Sequence, residues 1–190
     1  MSSATSTRQT ETVERLFAAG LQELREVGHE ALTIRAVAAR AGVSAATAYT
    51  YLASKNHLFA ELFWRHLTQA SSTIVPGSRV ERVQAAVRGL TTRIAEEPAL
   101  AAAVTPALLG SDADVERLRL RIGGEFAARF EVALGDGAED AVREAMLLAF
   151  SGALLQAGMG LMTYDEMAGR LAPVVAVIVD EATYRACRDE

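Results

Sequence analysis

The sequence predicts an all-α fold, with a three-helix N-terminal head joined by a long fourth helix to a C-terminal helical domain. Three observations lead there. Hydrophobic residues make up 51% of the 190, and Ala, Leu, Glu and Arg are abundant, which favours helix. Apolar residues recur at three- and four-residue spacing along most of the chain. No stretch shows the alternation and turn spacing of an all-β protein.

Residues 1–9 read as a disordered Ser/Thr-rich arm. From Thr10 to Val27 the positions Val13, Leu16, Phe17, Leu21, Leu24 and Val27 fall on one helical face, with Gly20 among them. Gly28 can end that helix. Two short helices follow, in TIRAVAARAGV (33–43) and SAATAYTYLASKNHL (44–58). Thr33 and Ser44 are placed as N-caps, and Gly42 can take the left-handed conformation that closes the first. This is the spacing of a helix-turn-helix, whose second helix is presented to the DNA major groove.

A fourth helix is expected from Ser54 to about Ser72, with Leu58, Phe59, Leu62, Phe63 and Leu67 as its stripe and Glu61–Arg65 as an i,i+4 pair. Pro76 and Gly77 then break the chain. The expected domains are therefore a head at 10–73, including the connecting helix, and a body at 78–190.

In the body, one helix is expected over Arg79–Glu96, with Val83, Ala86, Val87, Leu90 and Ile94 on one face. Pro98 suits the first turn of the next, which should reach Leu109 with a distortion at Pro106. A restart at Gly110–Asp112 leads to a helix ending near Leu134, with Gly123 and Gly124 inside it. After the turn Gly135–Gly137, a helix should run to Met162. Thr163 and Glu166 form a capping box for the last helix, whose stripe is Leu171, Val174, Val175, Ile178, Val179 and Ala182. Pro173 should kink that helix or displace its start.

The net charge of −5 divides into +1 over residues 1–73, with seven Lys/Arg and six Asp/Glu, and −6 over 74–190, with twelve and eighteen. A near-neutral head suits DNA if its positive charges share one face. The polar N-terminus lacks an apolar signal segment. Residues 145–162 approach the length of a membrane span, but Ser151, Gln156 and three glycines interrupt them, so a buried interface helix is expected and no membrane partner. A lone cysteine, Cys187, suits a reducing cytoplasm.

Catalysis is not expected. His29, His57 and His66 lack metal-ligand spacing, and no phosphate loop, dinucleotide fingerprint, nucleophile elbow or zinc-protease sequence occurs. No cofactor is implied.

The head resembles the TetR family of transcriptional regulators over about residues 10–65. The resemblance is carried by Thr33, Gly42-Val43-Ser44, Tyr49-Thr50-Tyr51-Leu52 and Ser54-Lys55-Asn56-His57-Leu58. Leu52 stands where the family usually has Phe, Ala46 where Gly is common, and His57 where Glu is frequent, so the fourth helix loses a capping-box partner.

The motif residues then take roles. Thr33, Ser44, Thr47, Tyr51 and Lys55 are expected on phosphates, positioning the protein without reading sequence. Base reading falls to Ala45, Ala46 and Thr50, with Arg35 a candidate for guanine. So few hydrogen-bonding groups leave some specificity to DNA shape. Tyr49 is expected in the core of the head.

A head of this kind reads two half-sites of a double-stranded operator as a homodimer. The expected interface combines Ala149, Gly152, Ala153, Gln156 and Gly160, in a stripe of mostly small residues beginning at Ala145, with Leu171, Val174, Val175, Ile178 and Val179 of the last helix. An apolar pocket for a small-molecule effector is expected around Trp64, Val87, Leu90 and Leu108. Phe126, Phe130, Met146, Phe150 and Leu154 would complete it. Arg117 and Arg121 are expected in solvent, Arg121 paired with Glu125. The resemblance implies a ligand-responsive regulator, most simply a repressor. The competing reading is a helical binding protein for acyl or other apolar ligands whose DNA binding is vestigial.

Overall fold

A computed structural model of the chain describes residues 2–69 and 75–180, with side chains from residue 8 onward. Ala182, Cys187 and the expected end of the fourth helix near Ser72 lie outside the described residues. All regular structure among the described residues is helical: α1 (Ser2–Ala31), α2 (Ile34–Arg40), α3 (Ala45–Tyr51), α4 (Lys55–Thr68), α5 (Arg79–Ala95), α6 (Pro98–Leu109), α7 (Ala113–Leu134), α8 (Asp140–Gly158) and α9 (Tyr164–Val179).

The first helix starts earlier than expected. Residues 2–9 are helical rather than an irregular arm. No Gly or Pro precedes Gly20, so nothing stops the helix propagating back from its amphipathic part. At the other end Gly28 breaks it, with φ 75° and ψ 169°, and one further turn follows to Ala31. The α2–α3 turn closes as a Schellman motif: the Val43 N–H donates to the Ala38 carbonyl at 3.0 Å and the Gly42 N–H to that of Ala39 at 3.1 Å. Gly42 sits at φ 68°, a conformation that costs a side-chain-bearing residue.

Compactness does not follow chain order. The chain divides into one unit of Met1–His66 with Pro98–Arg119 and a second of Leu67–Glu97 with Leu120–Glu190. In the first unit α1 packs against α2 and α6, and α2 against α3. Its interior includes Leu16, Leu24, Val37, Ala48, Leu52 and Leu58, none more than marginally exposed. Gly20 lets α1 approach α4, for a Cβ there would stand 2.9 Å from a Leu58 methyl. Ala60, Val115 and Leu118 form a further cluster, flanked by Trp64 and Leu108.

In the second unit α9 packs on α5 and α8. Capping boxes open α5, through Ser78 and Glu81, and α9, through Thr163 and Glu166. The first is legible as S-x-x-E and escaped the sequence reading. α9 runs through Pro173, and Gly169, whose carbonyl loses its helical donor there, is exposed to water.

Basic side chains close helix ends by donating to terminal carbonyls, which the helix dipole favours. Arg119 reaches the Leu108 and Gly110 carbonyls, each at 2.6 Å. Arg82 reaches those of Ala133 at 2.9 Å and Leu134 at 3.3 Å. Arg129 reaches Leu67 at 2.7 Å and pairs with Glu125 at 2.8 Å.

Candidate nucleic-acid interface

Caps at both short helices set the geometry of the helix-turn-helix. Thr33 Oγ1 accepts from the Ala36 N–H at 3.1 Å, and Ser44 Oγ from the Thr47 N–H at 3.1 Å. Each such cap is worth about 1 kcal/mol. Ser44 Oγ also lies 2.9 Å from Thr47 Oγ1, so the two hydroxyls form one polar edge at the start of α3.

Ala48 and Leu52, one turn apart, are fully buried and hold α3 on the core. That choice of face puts Ala46, Tyr49 and Thr50 outward, with Ala45, Thr47 and Tyr51 half-buried beside them. The expected core position of Tyr49 is corrected here: the residue is 52% exposed. A seven-residue helix has room for one buried stripe, and the small Ala48 with Leu52 fills it. Tyr49 is thus the exposed residue the sequence reading missed. Ala45, Ala48, Tyr49 and Leu52 lie within one helical stripe, so the pattern alone could not tell which of them the core takes.

The Thr50 hydroxyl donates to the Ala46 carbonyl at 3.1 Å. Its oxygen therefore faces outward as an acceptor, beside its methyl group. Lys55 Nζ donates to the Glu30 carbonyl at 3.2 Å, which pins the ammonium between the end of α1 and the start of α4. Arg35 and Thr33 are exposed at the start of α2.

The acids of the head are largely spent on other bases. Arg40 donates to Glu23 at 2.7 Å and to both oxygens of Glu26. These bonds raise the guanidinium's pKa, Glu26 first, and lower that of Glu26, with the Arg40 hydrogen bond as the main cause. Arg65 pairs with Glu14 at 2.8 Å and Glu61 at 3.4 Å and lies 4.0 Å over the Phe17 ring. Among the described residues neither Arg35 nor Lys55 belongs to an ion pair. Their charge stays on the edge that α2, α3 and α4 present, where phosphates would meet it.

The pocket residues expected from the sequence fall into two groups. Trp64 and Leu108 flank the small cluster of the first unit. Val87, Leu90, Phe126, Phe130, Met146 and Phe150 are buried in the second, with Leu154 half-buried. There Phe150 takes edge-on contacts from Phe126, centroids 5.1 Å apart, and Phe130, at 5.3 Å.

Part of the expected dimer stripe faces inward. Leu171, Val175 and Val179 are buried within the chain's own second unit, and so is Ala153. Ala149, Gly152 and Ile178 are half-buried, and Gln156 and Gly160 exposed. Helix α9 is apolar on two faces, so its pattern could not show which one α5 and α8 cover. The apolar residues left outside are Val174 and Val177 on α9 and Leu148, Leu155 and Met159 on α8, the last three at i, i+7 and i+11. No described helix is long and apolar enough to cross a membrane.

Residues 16–62 match the model of the bacterial regulatory proteins of the tetR family. An HTH-type transcriptional regulator of Mycobacterium tuberculosis is 45% identical over 175 residues, which cover 90% of this chain and 82% of that one. The HTH-type transcriptional repressor KstR of Rhodococcus jostii is 34% identical over 111 residues, 57% of this chain and 52% of that one. A crystal structure of a TetR transcriptional regulator from Rhodococcus sp. RHA1 superposes with a TM-score of 0.77 at 17% identity, covering 92% of this chain and 98% of that one.

Proposed function

The chain belongs to the TetR family of bacterial transcriptional regulators and is not an enzyme, and from that premise we propose that it is a dimeric cytoplasmic repressor of a palindromic operator, released by a small apolar or amphipathic effector. The observation that carries the DNA reading is the orientation of α3. Ala48 and Leu52 anchor it while Ala46, Tyr49 and Thr50 face outward between polar groups suited to phosphate.

In this reading Thr33, Ser44, Thr47, Tyr51 and Lys55 position the head on the backbone. Ala45 and Ala46 pack on thymine methyls. Thr50 offers its methyl and an acceptor oxygen, which suits an adenine or cytosine amino group. Arg35 takes a guanine, and the exposed Tyr49 joins the base-facing set. Repression is supported by the partial relative KstR, named as a repressor.

The dimer is supported by the exposed apolar residues of α8 and α9. Paired across a two-fold axis, they would form a four-helix interface, and a dimer of such heads would read two half-sites. The effector reading rests on the interior of the second unit. Its aromatic residues and Met146 can re-pack around an apolar guest. Such a guest weakens operator binding only by its differential affinity for the two conformations.

Fluorescence anisotropy with duplex DNA from upstream of the chain's own coding sequence, against a scrambled duplex, tests the core of this. Specific binding at moderate salt is expected. Lys55→Ala should weaken binding to every sequence and reduce the salt slope by about one. No specific binding, together with tight binding of fatty acids or acyl thioesters, would favour the ligand-carrier reading instead.

A further inference from the structure

We propose that Asp112, in the turn between α6 and α7, is a positioning residue for the DNA-binding head, acting through Ser54 on the first turn of α4. Ser54 Oγ accepts from the His57 N–H at 3.0 Å, capping α4, and donates its own proton to Asp112 Oδ2 at 2.7 Å. A capping hydroxyl is otherwise free to rotate. The carboxylate fixes where its proton points, and so keeps a lone pair on the His57 amide.

Asp112 is itself held. Its Oδ1 accepts from the Asp114 N–H at 3.0 Å. The hydrogen bond from Ser54 leads the causes that hold its carboxyl below the usual range, followed by the Asp114 amide, Asn56 and the attraction of His57, against opposing desolvation. Among the described residues, the buried His57 Nδ1 close by has no hydrogen-bond partner.

Ser54 stands two residues beyond Leu52, the C-cap of α3, and one before Lys55. Fixing it fixes both the exit of the recognition helix and the placement of the ammonium. His57 stands where a capping-box glutamate would accept the Ser54 backbone N–H, and Asp112, 58 residues away in sequence, takes the Ser54 hydroxyl proton instead. Asp112 also stands one residue before α7, which continues in chain order from the first compact unit into the second.

The inference rests on the DNA-binding reading. Its test is a cycle of Ser54→Ala, Asp112→Ala and the double variant in the full chain, with a duplex enriched from a random-sequence pool. Each single variant is expected to weaken binding about fivefold, the equilibrium worth of a helix cap. The double variant should be no more than about twofold worse than either, because the two residues act as one unit. Asp112→Asn, whose amide oxygen accepts the same bond, should restore affinity to within about twofold. The salt slope should stay unchanged, since Asp112 touches no phosphate. Multiplied losses in the double variant, or wild-type affinity in Asp112→Ala, would overturn the proposal. Should Asp112→Ala fail to fold, Asp112→Asn added to Ser54→Ala decides: no further loss is expected, and a further loss refutes. Failure of the wild-type chain to bind any duplex would instead overturn the reading beneath it.

Discussion

Gly42→Ala and Gly89→Ala are the same chemical change and should have opposite signs. Gly42 closes α2 at φ 68°, and a Cβ there would meet nothing within 4 Å. Steric clash with neighbours is therefore absent, and the cost is purely that of holding an L-residue in the left-handed region, about 1–2 kcal/mol. The smaller unfolded-state entropy of alanine returns roughly 0.4–1 kcal/mol, leaving a net loss of about 1 kcal/mol. Gly89 is exposed inside α5, also with nothing within 4 Å of a built Cβ. Alanine there should gain about 1 kcal/mol. In a chain of this size each shift is roughly 2–4 °C in melting temperature. Thermal unfolding followed by far-ultraviolet circular dichroism, with the two variants at equal concentration, reads both. A neutral or stabilising Gly42→Ala would refute the Schellman turn, and with it the placement of α3.

Three further outcomes are expected. Phe150→Ala should cost about 3–5 kcal/mol in chemical denaturation, because the ring is fully buried and edge-packed by Phe126 and Phe130; a cost below about 1 kcal/mol would mean that the ring borders empty space. Val177→Asp, at a residue 65% exposed, should leave the monomer folded but abolish the dimer in sedimentation, and an unchanged dimer would place the interface elsewhere. Because the carboxyl of Asp112 is held below its unfolded value, its contribution is fully present above about pH 4 and is lost as pH falls through the lower folded value. Asp112→Asn should therefore flatten the acid limb of a melting-temperature profile, and an identical limb would count against the Ser54 contact.

Much of the head is legible in sequence because its signals are local. Thr33, Gly42 and Ser44 act within three or four residues of themselves, and the structure shows each cap and turn where those residues stand. The capping box at Thr163 and Glu166 is local in the same way. Tyr49 was misplaced because an aromatic on a short helix is apolar enough for a core. Only the packing of Ala48 and Leu52 shows that no room remains. Part of the expected dimer stripe turned inward for a related reason. A helix apolar on two faces does not declare which of them its own subunit covers, and α5 and α8 take Leu171, Val175 and Val179.

The sequence by itself determined the helical class, the punctuation of the chain and the identity of the motif, all of which depend on spacing between near neighbours. Tertiary structure decided the rest. It turned Tyr49 outward, joined residues 98–119 to the N-terminal helices, and brought Asp112 to Ser54. Those outcomes depend on which surfaces compete for the same buried space, and on a hydrogen bond across 58 residues that no local pattern encodes.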